Sequence, residues 1–138
     1  MRERGFTLIE ILVVVMILGL LISLAAPRIV GRTDEARVVK ARADIRAIEE
    51  ALNLYKIDSG VYPTTEQGLR ALVEEPTIGE TPRSWRIDGY LERVPDDPWG
   101  QEFLYASDGR SYYVVSSMGA DGEEGGEGVD EDIDSRDF

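Results

Sequence analysis

Residues 6–26 read FTLIEILVVVMILGLLISLAA and end immediately before Pro27. The segment is apolar almost throughout, and Glu10 is its only formally charged residue. Because an α-helix rises about 1.5 Å per residue, a segment of this length spans about 30 Å, enough to cross the hydrocarbon core of a bilayer. The sequence therefore predicts a transmembrane helix over residues 6–27, to which the rest of the chain is tethered.

Glu10 is unusual, because an ordinary membrane helix does not need a charged residue within its apolar segment. A carboxylate in an apolar span costs up to about 3 kcal/mol at the bilayer centre and less near the interface. One interpretation is an interfacial side chain that extends to water. The other is a carboxylate kept for a specific cationic partner, and the span alone leaves both open.

Residues 1–5 form a short polar leader with a net positive charge. Positive charge on this side predicts that the leader stays in the cytoplasm and that the rest of the chain is exported. An ordinary secretory signal cut after Ala26 is less consistent, because Pro27 would directly follow the cut. An uncut signal anchor is the other simple interpretation.

The composition argues against several classes of function. The 138 residues carry a formal net charge of -12, and so acidic a surface would repel the phosphates of nucleic acid. The chain has no cysteine and no histidine, so it lacks disulfides, thiolate ligands and the most common general base. We expect no enzyme, because no nucleophile–base pair is apparent.

The apolar pattern beyond Pro27 predicts that the helix continues with one apolar face, since apolar residues recur in alternating steps of three and four. Asp58-Ser59-Gly60 predicts the end of the helix, because glycine can take the left-handed conformation of a helix cap. The face should pack on a small globular head. It consists of Val38, Ala41, Ile45, Ile48, Leu52 and Tyr55.

The head carries signals of a short helix and a hairpin. Thr64 and Gln67 have the spacing of a capping box, which predicts a short helix that ends before Pro76. Two β-favouring runs, residues 102–106 and 111–117, flank an Asp-Gly turn and predict a β-hairpin. The connection before the hairpin is predicted to be irregular and anchored on the core by Trp85, Tyr90 and Leu91.

The expected fold class is therefore α+β. A long N-terminal helix, with a membrane half and an amphipathic half, would pack through the amphipathic half on a small antiparallel β-sheet head.

Gly5-Phe6-Thr7-Leu8-Ile9-Glu10 resembles the processing motif of type IV prepilins and pseudopilins. In that family an inner-membrane prepilin peptidase cuts after the glycine and methylates the new amino terminus. The resemblance implies cleavage between Gly5 and Phe6, N-methylation of Phe6, and pairing of Glu10 with the terminal amine of a neighbouring subunit. An amine with a pKa of about 8 is cationic at neutral pH, so this pairing is physically favourable in an apolar bundle.

Two motifs of the head narrow the resemblance. Residues 55–69, YKIDSGVYPTTEQGL, and the turn Asp97-Pro98-Trp99-Gly100 are similar to the signature of the major pseudopilins of the type II secretion system, the general secretion pathway G proteins. The resemblance covers essentially the whole chain and implies a type IV pilin-like fold. It also implies a structural subunit that polymerises into the periplasmic pseudopilus, whose growth drives protein export.

The domain organisation follows from the same resemblance. It implies a cleaved leader at residues 1–5, a transmembrane and polymerisation helix at 6–27, and a periplasmic head at 28–138 that includes the second half of the helix. The implied partners are further copies of the chain, minor pseudopilins, an inner-membrane assembly platform, the prepilin peptidase and the membrane, with no nucleic acid. The implied location is the bacterial inner membrane, single-pass, and then the assembled pseudopilus.

Residues 117–134 are rich in glycine and carboxylates, and from Gly119 to Phe138 nine acidic residues face one arginine. Without a cation, charge repulsion should leave such a segment disordered. Oxygen ligands on a flexible backbone suit Ca²⁺ better than Mg²⁺. Composition alone leaves a solvated acidic tail and a calcium loop equally open.

The resemblance favours the calcium loop, because major pseudopilins bind one Ca²⁺ in this region. It implies carboxylate ligands from Asp121, Asp130 and Asp132. The Met118 carbonyl would add a backbone oxygen, and Glu131 is a further candidate. Residues 134–138 depart from the family pattern, so their packing is not predicted.

Three other functions stay open at this point. A type IV pilin or competence-type pilin subunit would share the leader and the first helix but form a surface fibre. A membrane-tethered calcium-binding module would never polymerise. An enzyme would need catalytic groups that the sequence does not display.

Overall fold

The computed structural model describes residues 6–79 and 81–138, with the backbone alone described for residues 24–32. Helix α1 spans Leu8–Ser59. Thr7 caps its beginning, because the Thr7 hydroxyl accepts a hydrogen bond from the Glu10 N–H at 3.3 Å. Gly60 ends it with a φ of 83° and an N–H that donates to the Lys56 carbonyl at 2.8 Å. The predicted helix end is confirmed.

Internal contacts divide the chain into two compact units, of which one ends at Glu35 and the other begins at Ala36. Among the described residues, no helix combines the length and the hydropathy needed to cross a membrane. The predicted segment 6–27 includes side chains outside the described part, so the membrane span stays a prediction. The predicted boundary between residues 27 and 28 also stays a prediction.

The core of the second unit is built on the apolar face of α1. Ala41, Ile45, Ile48, Leu52 and Tyr55 are each 0% exposed, and Val38 packs against them half-buried. Burial of each large apolar side chain contributes about 1.5–3 kcal/mol, which explains why this face holds the head. The predicted face is confirmed in full.

The predicted capping box forms, and the helix after it is short and ends before Pro76, as predicted. The Thr64 N–H donates to Gln67 Oε1 at 2.9 Å, and the Gln67 N–H donates to Thr64 Oγ1 at 3.3 Å. Only a 3₁₀ helix over Leu69–Leu72 follows, because Gly68 adopts φ 62° and ψ -173° and interrupts the turn. The predicted anchors of the next connection, Trp85, Tyr90 and Leu91, all pack against the core.

Three antiparallel strands, β1 Leu104–Ser107, β2 Tyr113–Ser117 and β3 Ile133–Asp134, form one sheet in the order β1-β2-β3. Strands β1 and β2 make the predicted hairpin, with Ser107 opposite Tyr113 and Leu104 opposite Ser116. Strand β3 was not predicted; it returns after residues 118–132, here called the acidic loop, and places Ile133 opposite Ser117. Both ends of the acidic loop are therefore tied to β2.

Candidate functional site

The first turns of α1 present apolar side chains to the outside. Phe6 is 78% exposed and Leu8 is 83% exposed, and all the large apolar residues from Ile9 to Ile22 are also exposed. Gly5 lies outside the described residues, so the predicted cleavage between Gly5 and Phe6 stays a prediction. An apolar surface of this extent needs a cover of lipid or protein.

Glu10 lies in the first turn of α1, inside this apolar surface. Its backbone N–H is used by the Thr7 cap. No described residue forms a hydrogen bond or ion pair with its carboxylate. A carboxylate near the positive end of a helix is stabilised by the helix dipole, and it remains free to accept a cation from outside the chain.

The acidic loop, residues 118–132, is a loop in which backbone groups of the two arms meet. The Ala120 N–H donates to the Val129 carbonyl at 3.0 Å, and the Asp132 N–H donates to the Gly125 carbonyl at 3.2 Å. The Asp132 Oδ2 also accepts the Gly125 N–H at 3.0 Å. These hydrogen bonds join the two arms of the loop, and the expected disorder of the segment without a cation stays a prediction.

The predicted calcium ligands are distributed along both arms of this loop. Asp121 is exposed, and its Oδ1 accepts the Glu123 N–H at 3.0 Å. Asp130 is half-buried, and its backbone lies against Gly119 and Gly126. Glu131 is exposed, and Met118 is half-buried between Ser117 and Gly119.

One atom of this loop is unusual. Asp132 Oδ1 is buried and has no hydrogen-bond partner in the described part of the chain. A buried carboxylate oxygen without a partner is costly, and a cation would compensate it. The residues present thus fit the oxygen ligands that Ca²⁺ prefers.

The carboxylates do not, however, surround a common point. Among the described residues, no group of three or more acidic side chains is arranged to hold a metal ion. The calcium site and its ligand set therefore stay predictions.

The C-terminal residues close the loop against the rest of the second unit. The Ser135 hydroxyl accepts the Val115 N–H at 3.1 Å. Arg136 donates to both oxygens of Asp134, at 2.9 and 2.6 Å, and these hydrogen bonds lower the pKa of Asp134. Phe138 lies under two arginines of α1, with its ring centroid 6.0 Å from Arg42 Cζ and 5.3 Å from Arg46 Cζ.

Sequence reasoning missed the residues that hold the loop in place. Asp97 was recognised only as part of a turn, yet its carboxylate is buried and accepts the Ser117 hydroxyl hydrogen at 2.6 Å. Gln101 donates to the Gly119 carbonyl at 3.5 Å. These contacts join segments far apart in the sequence, so local patterns gave no signal for them.

Two family models match the chain in adjacent segments. Residues 28–136 match the model described as type II secretion system protein G. Residues 1–26 match the model described as the prokaryotic N-terminal methylation motif.

Two similar curated proteins carry the description "Type II secretion system core protein G". The protein from Pseudomonas aeruginosa is 49% identical over 133 residues, which covers 96% of this chain and 94% of the relative. The protein from Vibrio cholerae is 50% identical over 133 residues, which covers 96% of this chain and 90% of the relative.

A solved structure has the same fold. It is the crystal structure of the major pseudopilin from the type 2 secretion system of enterohaemorrhagic Escherichia coli, which matches with a TM-score of 0.67 at 42% sequence identity. The match covers 76% of this chain and 87% of the solved chain.

Proposed function

The chain belongs to the type II secretion system protein G family, and from this we infer that it is a structural major pseudopilin, which polymerises into the pseudopilus that drives protein export. Its role is to build a fibre rather than to catalyse a reaction. The observation that carries the proposal is the apolar, exposed first part of α1 with a single carboxylate, Glu10, within it.

This apolar surface suits two successive environments. Before assembly the inner membrane would cover it, with the head in the periplasm. After assembly the equivalent helices of neighbouring copies would cover it, and the assembly platform and minor pseudopilins would start and direct the fibre. Prepilin peptidase acts first, because cleavage after Gly5 creates the amine that Glu10 needs.

Pairing between Glu10 and the amine of Phe6 sets the register of neighbouring helices. If the amine at residue 6 of one copy meets residue 10 of the next, each residue lies beside the residue four positions further along its neighbour. Residues seven apart share a helix face, so Val13 of the first copy should lie beside Ile17 of the second. Both side chains are exposed in the single chain.

Disulfide formation in cells tests this register. The chain has no cysteine, so a Val13→Cys chain and an Ile17→Cys chain can be produced together without background pairing. We expect oxidation to give dimers of one chain with the other. Met16→Cys in place of Ile17→Cys should give few dimers, because residue 16 lies on another face of the helix.

The role of Glu10 is tested by changing it in one chain at a time. Glu10→Ala in the Ile17→Cys chain should abolish the dimers, because that chain supplies the carboxylate. The same change in the Val13→Cys chain should reduce them less. Dimers that persist at full yield with Glu10→Ala in both chains would contradict the pairing.

We also propose that the acidic loop binds Ca²⁺ through Asp121, Asp130 and Asp132, with the Met118 carbonyl and Glu131 as further ligands. The ion would join the two arms of the loop and compensate the buried oxygen of Asp132. Its contribution is structural, because a folded loop binds the ion and an unfolded chain does not.

Thermal unfolding of the full chain tests the calcium proposal. Calcium at about 100 times its Kd should add about 2.7 kcal/mol to the free energy of unfolding, and chelator should remove this increase. Asp121→Ala should lose the increase. Asp88→Ala, at an exposed aspartate outside the loop, should keep it. An unchanged thermal midpoint of the wild-type chain in saturating calcium would contradict the proposed calcium site.

A further inference from the structure

A buried aspartate outside the acidic loop holds the backbone from which the loop begins. Asp97 is 4% exposed. Its Oδ1 accepts the backbone N–H groups of Trp99 at 3.0 Å and Gln101 at 2.8 Å, and its Oδ2 accepts the Ser117 hydroxyl at 2.6 Å. Among the described residues, no lysine or arginine pairs with it. These three hydrogen bonds fix the carboxylate between its own turn and Ser117 at the end of β2.

Ser117, which is held by Asp97, in turn holds the peptide group between Met118 and Gly119. Its Oγ accepts the Gly119 N–H at 3.3 Å. That N–H belongs to the peptide unit that carries the Met118 carbonyl. Because the unit is planar and trans, the N–H and the carbonyl point in opposite directions, and holding one fixes the other.

The conformation and the close packing of Gly119 further restrict the Met118–Gly119 peptide. Gly119 has a φ of +68°, and a Cβ at this position would lie 2.6 Å from the Asp130 carbonyl oxygen. Gly119 therefore packs directly on the backbone of the opposite arm at Asp130, one of the proposed ligands. Gln101 holds the following peptide through the Gly119 carbonyl.

We propose that Asp97 and Ser117 are positioning residues for Ca²⁺, which orient the Met118 carbonyl toward the ion without touching it. This inference rests on the calcium site proposed above. Residues that hold metal ligands from outside the coordination sphere change metal affinity by about 10- to 100-fold when they are altered. The hydrogen bond between Asp97 and Ser117 is the link through which this effect would act.

Calcium titration of the purified full chain by calorimetry tests the inference, at a temperature where every variant is folded. Asp97→Asn and Ser117→Ala should each weaken calcium binding by about 10- to 100-fold. The double variant should be no weaker than the weaker single variant, because both changes break the same link. Asp96→Asn and Ser116→Ala, at the adjacent aspartate and serine, should keep the wild-type affinity.

The outcomes separate the inference from the site itself. Wild-type affinity in Asp97→Asn and Ser117→Ala would overturn the positioning role, even if both variants melt earlier in chelator. Affinity losses that add in the double variant would also overturn it, because they would show two independent effects. No binding by the wild-type chain would overturn the calcium site. If Ser117→Ala does not fold, Ser117→Cys, with its weaker hydrogen-bonding group, should bind calcium more weakly than the wild type, and equal affinity would contradict the inference.

Discussion

Asp108, an exposed residue, fixes the turn of the hairpin with its carboxylate. Its Oδ1 accepts the backbone N–H groups of Arg110, Ser111 and Tyr112 at 2.8, 2.9 and 3.0 Å. These donors favour the ionised form and hold the pKa of Asp108 well below its ordinary value of 3.8. The turn between β1 and β2 is therefore coupled to the charge of one residue.

We expect the contribution of Asp108 to stability to be lost only in acid. The pKa of the folded state lies below that of the unfolded state, so the contribution is complete above the unfolded value and declines as pH falls toward the folded value. Asp108→Asn should destabilise the chain at neutral pH, and the difference from wild type should shrink below about pH 4. Urea unfolding across this range measures it, with Asp88→Asn as a control. A difference that does not change with pH would contradict the assignment.

The acidic loop depends on the close approach of its two arms. Gly119 and Gly128 have nearly equal φ values, +68° and +70°. They differ in their surroundings, because a Cβ on Gly119 would meet the Asp130 backbone, whereas none of the described atoms lies within 4 Å of a Cβ on Gly128. A substitution at Gly128 would therefore show the cost of backbone strain alone, whereas one at Gly119 would add the cost of a steric clash.

Alanine at these two positions gives a matched comparison. Gly128→Ala should cost about 1–2 kcal/mol, the strain of a left-handed residue. Gly119→Ala should cost a further 1–3 kcal/mol or so, because the arms must separate. Chemical unfolding measures both, and proteolysis of the loop should rise in Gly119→Ala alone. Equal costs would mean that the approach of Gly119 to Asp130 contributes little.

Elements whose signals are local were predicted correctly from the sequence. The apolar face of α1, its end at Gly60 and the hairpin each depend on spacing or on a turn residue, and each formed. The helix after Thr64 is short and ends before Pro76, as predicted, but it begins only at Leu69 and is a 3₁₀ helix, because Gly68 interrupts the turn that the capping box opens.

Strand β3 and the Asp97–Ser117 link were not predictable, because they are decided by tertiary contacts. Ile133 pairs with β2 only after the acidic loop has reversed direction. Asp97 and Ser117 lie 20 residues apart. The candidate calcium ligands were inferred from the family resemblance, whereas the hydrogen bond between Asp97 and Ser117 was visible only in the structure.

The charge of the chain is strongly uneven along its length. The chain carries a net charge of -12, and the nine acidic residues after Gly119 face one arginine. Glu123, Glu124 and Glu127 are exposed in the loop and are not among the proposed ligands. Dissolved salt screens all of these carboxylates alike, whereas a bound ion neutralises only the carboxylates around it.

Salt should therefore partly replace calcium. In chelator, raising NaCl from about 0.02 M to about 0.5 M should increase the thermal midpoint of the full chain by a few degrees, because the Debye length falls from about 20 Å to about 4 Å. Saturating calcium should reduce this salt effect. Circular dichroism melts in the four combinations of salt and calcium measure both effects.

Two variants, measured in the same melts, then distinguish carboxylates that bind calcium from carboxylates that only add repulsion. Glu123→Gln/Glu124→Gln/Glu127→Gln should weaken the salt effect in chelator but keep the increase due to calcium, because these side chains add repulsion without binding the ion. Asp121→Ala should keep most of the salt effect in chelator, because it removes only one of many charges. It should lose the increase due to calcium, because it removes a direct ligand. A triple variant that no longer responds to calcium would place the ligands among the three glutamates and contradict the assignment to Asp121, Asp130 and Asp132.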